Sequence, residues 1–269
     1  MNDLPLVSIV TVSYNQAEFL EEALLSVLKQ DYKNIEYIVF DGGSTDGSVD
    51  ILRKYEKDIS FLNIGPDGGA SAALNAGFEK SKGQILAYIN SDDVLLPGTV
   101  SRWVEYFKDP TISVVFGDIS IIDEAGRPST LPGKSVSTFL AGPFSTLMYA
   151  VGASVIPQQA AAWKREVFFN VGGFEPANKT CWDKEFFADA AILGYKFQRI
   201  PMVLAKFRVH SASISGTGRN QTVRVIDHSR IKRKFDKAKI RGNFLTAKFL
   251  NLYCKVFRAA RYASRSIGL

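Results

Sequence analysis

Between Leu6 and Asn90 the chain switches repeatedly between two hydrophobic periods, and few folds accept that alternation. "LVSIVTVSY" (6–14), "IEYIVFD" (35–41), "ISFLNI" (59–64) and "QILAYIN" (84–90) are short and almost continuously apolar. Strands buried on both faces of a sheet read this way. "QAEFLEEALLSVLKQ" (16–30) instead places Phe19, Leu20, Ala23, Leu24, Val27 and Leu28 on one helical face. "STDGSVDILRKYEK" (44–57) opens with capping residues and continues as a helix. "GGASAALNAGFEKSKG" (68–83) is a third helix that ends in glycine. The alternation predicts an α/β fold, a Rossmann-like and mostly parallel sheet with helices on both faces. The second half is less regular. "ISVVFGDISII" (112–122) predicts one or two strands, 163–170 and 182–193 short helices, and "YKFQRIPMVLAKFRVH" (195–210) a pair of late strands.

Sheets of this kind bind ligands beyond the carboxyl ends of their strands. The four predicted strands end in Ser13-Tyr14-Asn15, Asp41-Gly42-Gly43, Pro66-Asp67-Gly68 and Asn90-Ser91-Asp92-Asp93. Each alone reads as a turn. Four polar or acidic ends on one edge read as a site. Asp92 and Asp93 repel each other, and burying either without a partner is costly. A divalent cation, Mg²⁺ or Mn²⁺, held against a diphosphate answers that charge, because hard cations take oxygen ligands and share them with substrate phosphates. A nucleotide is the implied ligand. The phosphate loop GxxxxGK[ST] is absent, which disfavours an NTPase. "SYNQAEF" stands where a nicotinamide-binding chain would carry GxGxxG.

The ordered run "VSIVTVSYN … EYIVFDGGSTDGSVDIL … GPDGGASAALNAGFEKSKGQILAYINSDDVLLPG" resembles the family 2 glycosyltransferases, inverting enzymes with the GT-A fold. The likeness is close over the first hundred residues and looser to about residue 210. It implies a nucleotide-sugar donor, UDP-linked by first expectation. Ser13 and Asn15 would line the base slot, Asp41 would accept a hydrogen bond from the base, and Asp67 would lie beside base and ribose. Asp92 would face ribose or sugar, and Asp93 would ligate the metal that bridges the diphosphate. Asn75, on the third helix, is a further candidate for the donor site. "GASVIPQQAAAWKREVFFNVGGFEP" resembles the family stretch that precedes the catalytic carboxylate, which would then fall in "CWDKEFFADAAILGYKF". Asp183 is the expected general base and Glu185 the alternative, with Asp189 facing solvent. His210, in "FRVHSASISG", stands in surroundings where a family histidine approaches the metal or diphosphate.

The resemblance implies an inverting displacement. One base takes the acceptor's hydroxyl proton, and a Mn²⁺ or Mg²⁺ ion stabilises the leaving diphosphate. The expected product is a cell-surface polysaccharide or glycolipid, on a saccharide or lipid-linked acceptor. Gly65, Ala73 and Ala76 replace an acid, an Asp and a Lys of the family pattern. They keep open a non-catalytic nucleotide-sugar-binding or scaffold protein. A nucleotidyltransferase is disfavoured, since no basic, glycine-rich triphosphate loop stands near the N-terminus.

Charge separates the chain's end from its body. From residue 230 onward there are twelve Lys and Arg and one acid, Asp236, so the net +6 of the whole chain leaves residues 1–229 at −5. Within 244–262, Leu245, Phe249, Leu252, Val256 and Ala260 share a helical face, with Lys248, Lys255, Arg258, Arg261 and Arg265 assigned to the opposite side. That pattern predicts an amphipathic helix on an anionic membrane surface; few aromatics interleave 230–241, which argues against nucleic acid. The expected organisation is a nucleotide-sugar half (1–110), an acceptor half of the same GT-A domain (111–229) and a basic helical tail (230–269). Two cysteines in no metal-ligand spacing, no signal-peptide pattern and no run of about 18 apolar residues lead to an expectation of a cytoplasmic protein, peripheral to the inner face of the membrane.

Overall fold

The computed structural model describes residues 4–130, 137–213 and 220–266, with side chains followed as far as Tyr262. β1 (Val7–Ser13), β2 (Ile35–Asp41), β3 (Phe61–Ile64) and β4 (Ile85–Tyr88) form an all-parallel half-sheet in the spatial order β3-β2-β1-β4. β1 sits at its centre, with Val7 in register with both Ile35 and Ile85, and its seven residues are all buried. Because side chains alternate across a strand, Val7 and Ile9 join one apolar cluster while Val10 and Val12 join the other. α1 (Ala17–Leu28), α2 (Ser48–Lys54) and α4 (Thr99–Tyr106) cover the first face through Leu20, Leu24, Leu52 and Trp103. α3 (Ala70–Lys80), α6 (Arg165–Val171) and α7 (Trp182–Ile192) cover the second through Leu74, Phe78, Phe168, Phe186 and Phe187. The α/β sandwich expected from the alternation is the fold observed.

The second half extends the same sheet. β8 (Ala161–Lys164) pairs antiparallel with β4 and with β6 (Val114–Ile122), and β9 (Phe197–Arg208) runs parallel to β6. β5 (Val94–Leu95) closes the edge antiparallel to β9, β7 (Thr138–Phe139) hangs from β6, and α5 (Thr146–Ala150) lies beyond it. Within 195–210 a single long strand, β9, forms where two were expected. Pro201 lacks the N–H a ladder needs, and pairing skips from Arg199↔Phe116 to Val203↔Asp118. The bulge absorbs the proline and the strand continues.

The expected boundary at 229 falls inside a helix, α8 (Gln221–Lys237). Its Ile231 and Phe235 are buried in the same cluster as Phe186 and Phe187. The beginning of the tail is therefore part of the core, because α7 would otherwise leave an apolar face open. α9 (Phe244–Ser266) follows; the Arg265 side chain lies outside the described residues. No described helix is long and apolar enough to cross a membrane.

Candidate active site

The carboxyl ends of β1 to β4 open into a cleft of about 660 Å³, lined from that side by Ser13, Tyr14, Gly42, Asp67, Asn90 and Asp92. From the second half Gln158, Gln159, Thr180, Trp182 and Asp183 face it. A larger depression of about 830 Å³ lies at the opposite edge, against Pro5, Ile85, Phe107 and Phe169. Its polar lining, Gln84, Lys108, Lys164, Arg165 and Glu166, is mostly cationic, whereas the carboxyl edge gathers carboxylates from several segments at the strand ends where such sheets take ligands, so the carboxyl edge is the candidate site.

The base-slot residues divide. Ser13 Oγ is buried and has no hydrogen-bond partner among the described residues, which leaves it available to a ligand atom. Asp67 is half-buried at the cleft wall and accepts from the Gly69 amide at 2.9 Å. A Cβ on Gly42 would come within 3.2 Å of the Tyr14 ring and 3.4 Å of Asp67 Oδ2. Glycine thus keeps the space between an exposed aromatic face and a carboxylate. Asp41 and Asn15 do not line the cleft. Asp41 is fully buried, accepting from the amides of Gly43 (3.1 Å) and Ser44 (2.7 Å) and from the Ser44 hydroxyl (2.7 Å). Asn15, at φ +50°, accepts from the Thr45 amide at 2.9 Å. Both side chains are spent on holding the two loops together. Asn75 is likewise a brace. It donates to the Phe174 carbonyl and accepts from the Phe174 amide, both at 2.8 Å, so α3 fixes the "VGGF" loop.

The paired aspartates have opposite environments. Asp93 is 1% exposed and accepts from the Arg208 amide (3.0 Å), from Asn90 Nδ2 (3.2 Å) and from Gln159. Burial, and then the charge of Asp92, push its carboxyl well above the usual range. Asp92 faces the cleft, and its Oδ2 lies 3.0 Å from His210 Nε2. Asp93, expected to ligate the metal, does not line the cleft. Its position opposite β9 turns it inward and leaves Asp92 as the accessible carboxylate. Arg208 fixes the arrangement. Its guanidinium donates to the carbonyls of Asp92, Asp123 and Glu124, pairs with Glu22 and lies over Phe19, whose ring centroid is 4.8 Å from that of His210.

Asp183 stands in the first turn of α7 and faces the cleft, and burial raises its pKa above the usual aspartate value. Glu185 does not reach the cleft. It is 1% exposed, accepting from Asn178 at 2.7 Å and pairing with Arg230 (3.0 Å) and Lys234 (2.9 Å) of α8. Burial alone would raise its pKa, but the bonds from Lys234, Asn178 and Arg230 outweigh that and lower it. Of the two carboxylates expected as base candidates, Asp183 faces the cleft and Glu185 is ion-paired within the fold. Asp189 is engaged too, by Lys234. Deleting one partner of such a network strands the others, at a cost on the order of 3 kcal/mol. Glu185→Ala should therefore lower the Tm while the folded enzyme keeps a near-parent kcat. A 10²-fold fall in kcat at unchanged Tm would restore the catalytic reading. Because the folded carboxyl is the more acidic one, this stability is present above the ordinary glutamate range and is lost as pH falls through the folded value.

Gln158, Gln159, Tyr14 and Trp182 are cleft residues that sequence reasoning passed over. The signal for the first two was present, since two amides inside the apolar stretch 153–163 must be hydrogen-bonded. Gln158 Nε2 indeed donates to the Tyr88 carbonyl at 2.8 Å. Gly65, Ala73 and Ala76 do not line the cleft, and Ala73 is fully buried.

The cleft lies where the strand order of the sheet reverses and is edged by carboxylates, the place where open α/β sheets take their ligands. The Glycosyl transferase family 2 model matches residues 8–171, and the chain belongs to that family. An uncharacterised glycosyltransferase of Nostoc sp. is 31% identical over 221 residues, 77% of this chain and 66% of the relative. TuaG of Bacillus subtilis, named for teichuronic acid biosynthesis, is 33% identical over 46% of this chain and 50% of its own length. The chain thus spans half to two thirds of these relatives. Among solved structures, Staphylococcus aureus TarS residues 1–349 with UDP-GlcNAc superposes with a TM-score of 0.64 at 15% identity, over 87% of this chain and 72% of that one. The mannosyltransferase PcManGT of Pyrobaculum calidifontis, with GDP-Man and Mn²⁺, gives 0.64 at 22% identity over 99% and 76%. Both likenesses are of fold.

Proposed function

We propose that the protein is a metal-dependent inverting glycosyltransferase that moves a sugar from a nucleoside-diphosphate donor to an acceptor hydroxyl. The observation that carries the reading is the meeting of Asp92 and Asp183 on one cleft, from two separate segments, with the buried His210 ring 3.0 Å from Asp92 Oδ2. The base would sit between Tyr14 and Asp67, with the unpartnered Ser13 hydroxyl available to it. Asp92 and His210 would hold Mn²⁺ or Mg²⁺. Two protein ligands suit a hard cation that takes its remaining oxygens from a diphosphate, and no described cluster offers three acidic, His or Cys ligands. When bound, the cation supplies charge stabilisation to the departing diphosphate. Asp183, its pKa raised by burial, accepts the proton of the acceptor hydroxyl as that oxygen bonds to C1 and the C1–diphosphate bond breaks. The naming of a relative for teichuronic acid biosynthesis and the UDP-GlcNAc and GDP-Man of the structural neighbours support a cell-surface polysaccharide or glycolipid product. The acceptor would be a saccharide or a lipid-linked one, met at the inner face of an anionic membrane. A panel of UDP-, GDP- and dTDP-sugars, each assayed for donor hydrolysis with and without Mn²⁺, tests this. One donor should be hydrolysed only with metal; binding without metal-stimulated hydrolysis of any donor would favour a binding protein instead.

A further inference from the structure

α9 is mounted on the domain by its polar side. The guanidinium of Arg261 meets the fully buried Asp118 at 2.7 Å and the Ala141 carbonyl at 3.1 Å, the Tyr262 hydroxyl bonds the Thr138 carbonyl, and Cys254 is completely covered. Arg199 also stands 3.9 Å from Asp118, and Arg261 makes the closer pair with this buried carboxylate, which ties α9 to β6. The basic side expected to face outward is thus partly consumed within the fold. The apolar stripe is what remains outside. Leu245, Phe249, Leu252 and Val256, spaced four, three and four residues apart, are each at least 60% exposed, and Phe244 at the start of the helix is 79% exposed. Exposed Lys248 and Lys255 stand beside the stripe, and no acid occurs in α9. Lys232, Arg233, Lys237 and Lys239 of the preceding segment are also exposed and pair with no described acid.

A helix held this way normally turns polar residues to water. We infer that the outer face of α9 seats the protein on an anionic phospholipid surface, with the stripe at the headgroup–acyl boundary and Lys248 and Lys255 on lipid phosphates. The lysines select this occupant. A symmetric contact between two copies would bring the same cations together, whereas an anionic surface neutralises them. The inference deepens the membrane-face acceptor suggested above but uses no cleft residue, so it stands or falls separately from the transferase reading.

The test is co-sedimentation of the full chain with phosphatidylcholine vesicles, with and without phosphatidylglycerol, at low and raised salt. Binding should require phosphatidylglycerol and weaken as salt rises. Phe249→Ser with Leu252→Ser should reduce it at least about tenfold, at unchanged Tm because both side chains are exposed. Lys248→Gln with Lys255→Gln should lower it several-fold and flatten the salt dependence. Equal binding to both vesicle types, or full binding by the serine variant, overturns the inference. So does a dimer in light scattering that the serine substitutions abolish, which would make a second copy the occupant. Metal-dependent donor hydrolysis, measured on the same variants, should be unchanged, which keeps failure of the surface distinguishable from failure of the site.

Discussion

Asp183→Asn should lower kcat by about 10²–10⁴-fold, the range a positioned general base contributes, while donor affinity stays near the parent value. The asparagine keeps the shape and the place at the start of α7 but cannot accept a proton. The residues proposed to take the donor's base, Ser13, Tyr14 and Asp67, lie on the other wall of the cleft, at the ends of β1 to β3, and are untouched. The pH profile gives a second reading. A base works in its ionised form, and burial raises the Asp183 pKa. The parent's rate should therefore decline on the acid side at a pH above the ordinary aspartate value of about 3.9, and the variant's residual rate should lack that limb. Initial rates across pH, with isothermal titration of the donor, separate the two effects. If the variant loses donor affinity and keeps kcat, Asp183 is a binding residue.

Asp92→Asn should reduce Mn²⁺-dependent turnover by at least about 10³-fold, since the bound ion supplies several kcal/mol of charge stabilisation, and should raise the metal concentration needed for half-activity. Asp93→Asn should behave differently. Asparagine still accepts from the Arg208 amide, and the substitution removes a buried charge that repels Asp92. An acid whose folded pKa is raised costs stability above its unfolded pKa, so the metal-free Asp93→Asn protein should melt higher than the parent near neutral pH. Its metal requirement should change little. Metal titrations and melting curves of both variants decide the matter. Loss of metal affinity in Asp93→Asn with retention in Asp92→Asn would return the ligand role to Asp93.

The strands and helices of the first half were legible because each is written in local periodicity, and period two and period 3.6 are hard to confuse over several residues. The location of the cleft was legible for a related reason. Once the strands are parallel, their carboxyl ends share an edge, and the polar residues after β1, β2, β3 and β4 converge without further information. The placement of Asp183 on the cleft also agrees with expectation, through the position of its segment at a helix start.

The tertiary structure decided which neighbour of each ambiguous pair faces the cleft. Asp92 and Asp93 are adjacent, so local pattern cannot say which one turns inward. The choice is made by β9, which pairs with β5 and presents the Arg208 amide to Asp93 across 115 residues of sequence. Asp183 and Glu185 are two positions apart on one helix and so point to different sides. Glu185 is held away from the cleft by Arg230 and Lys234 of α8, and those cations read from sequence as part of a basic helical tail. α9 follows the same logic. Its amphipathic spacing was written locally, yet only the buried Asp118, contributed by β6, set Arg261 inward and the apolar stripe outward. Period and composition are properties of a segment. The partner of a buried charge comes from wherever the chain brings one within about 3 Å, and no local pattern carries that distance.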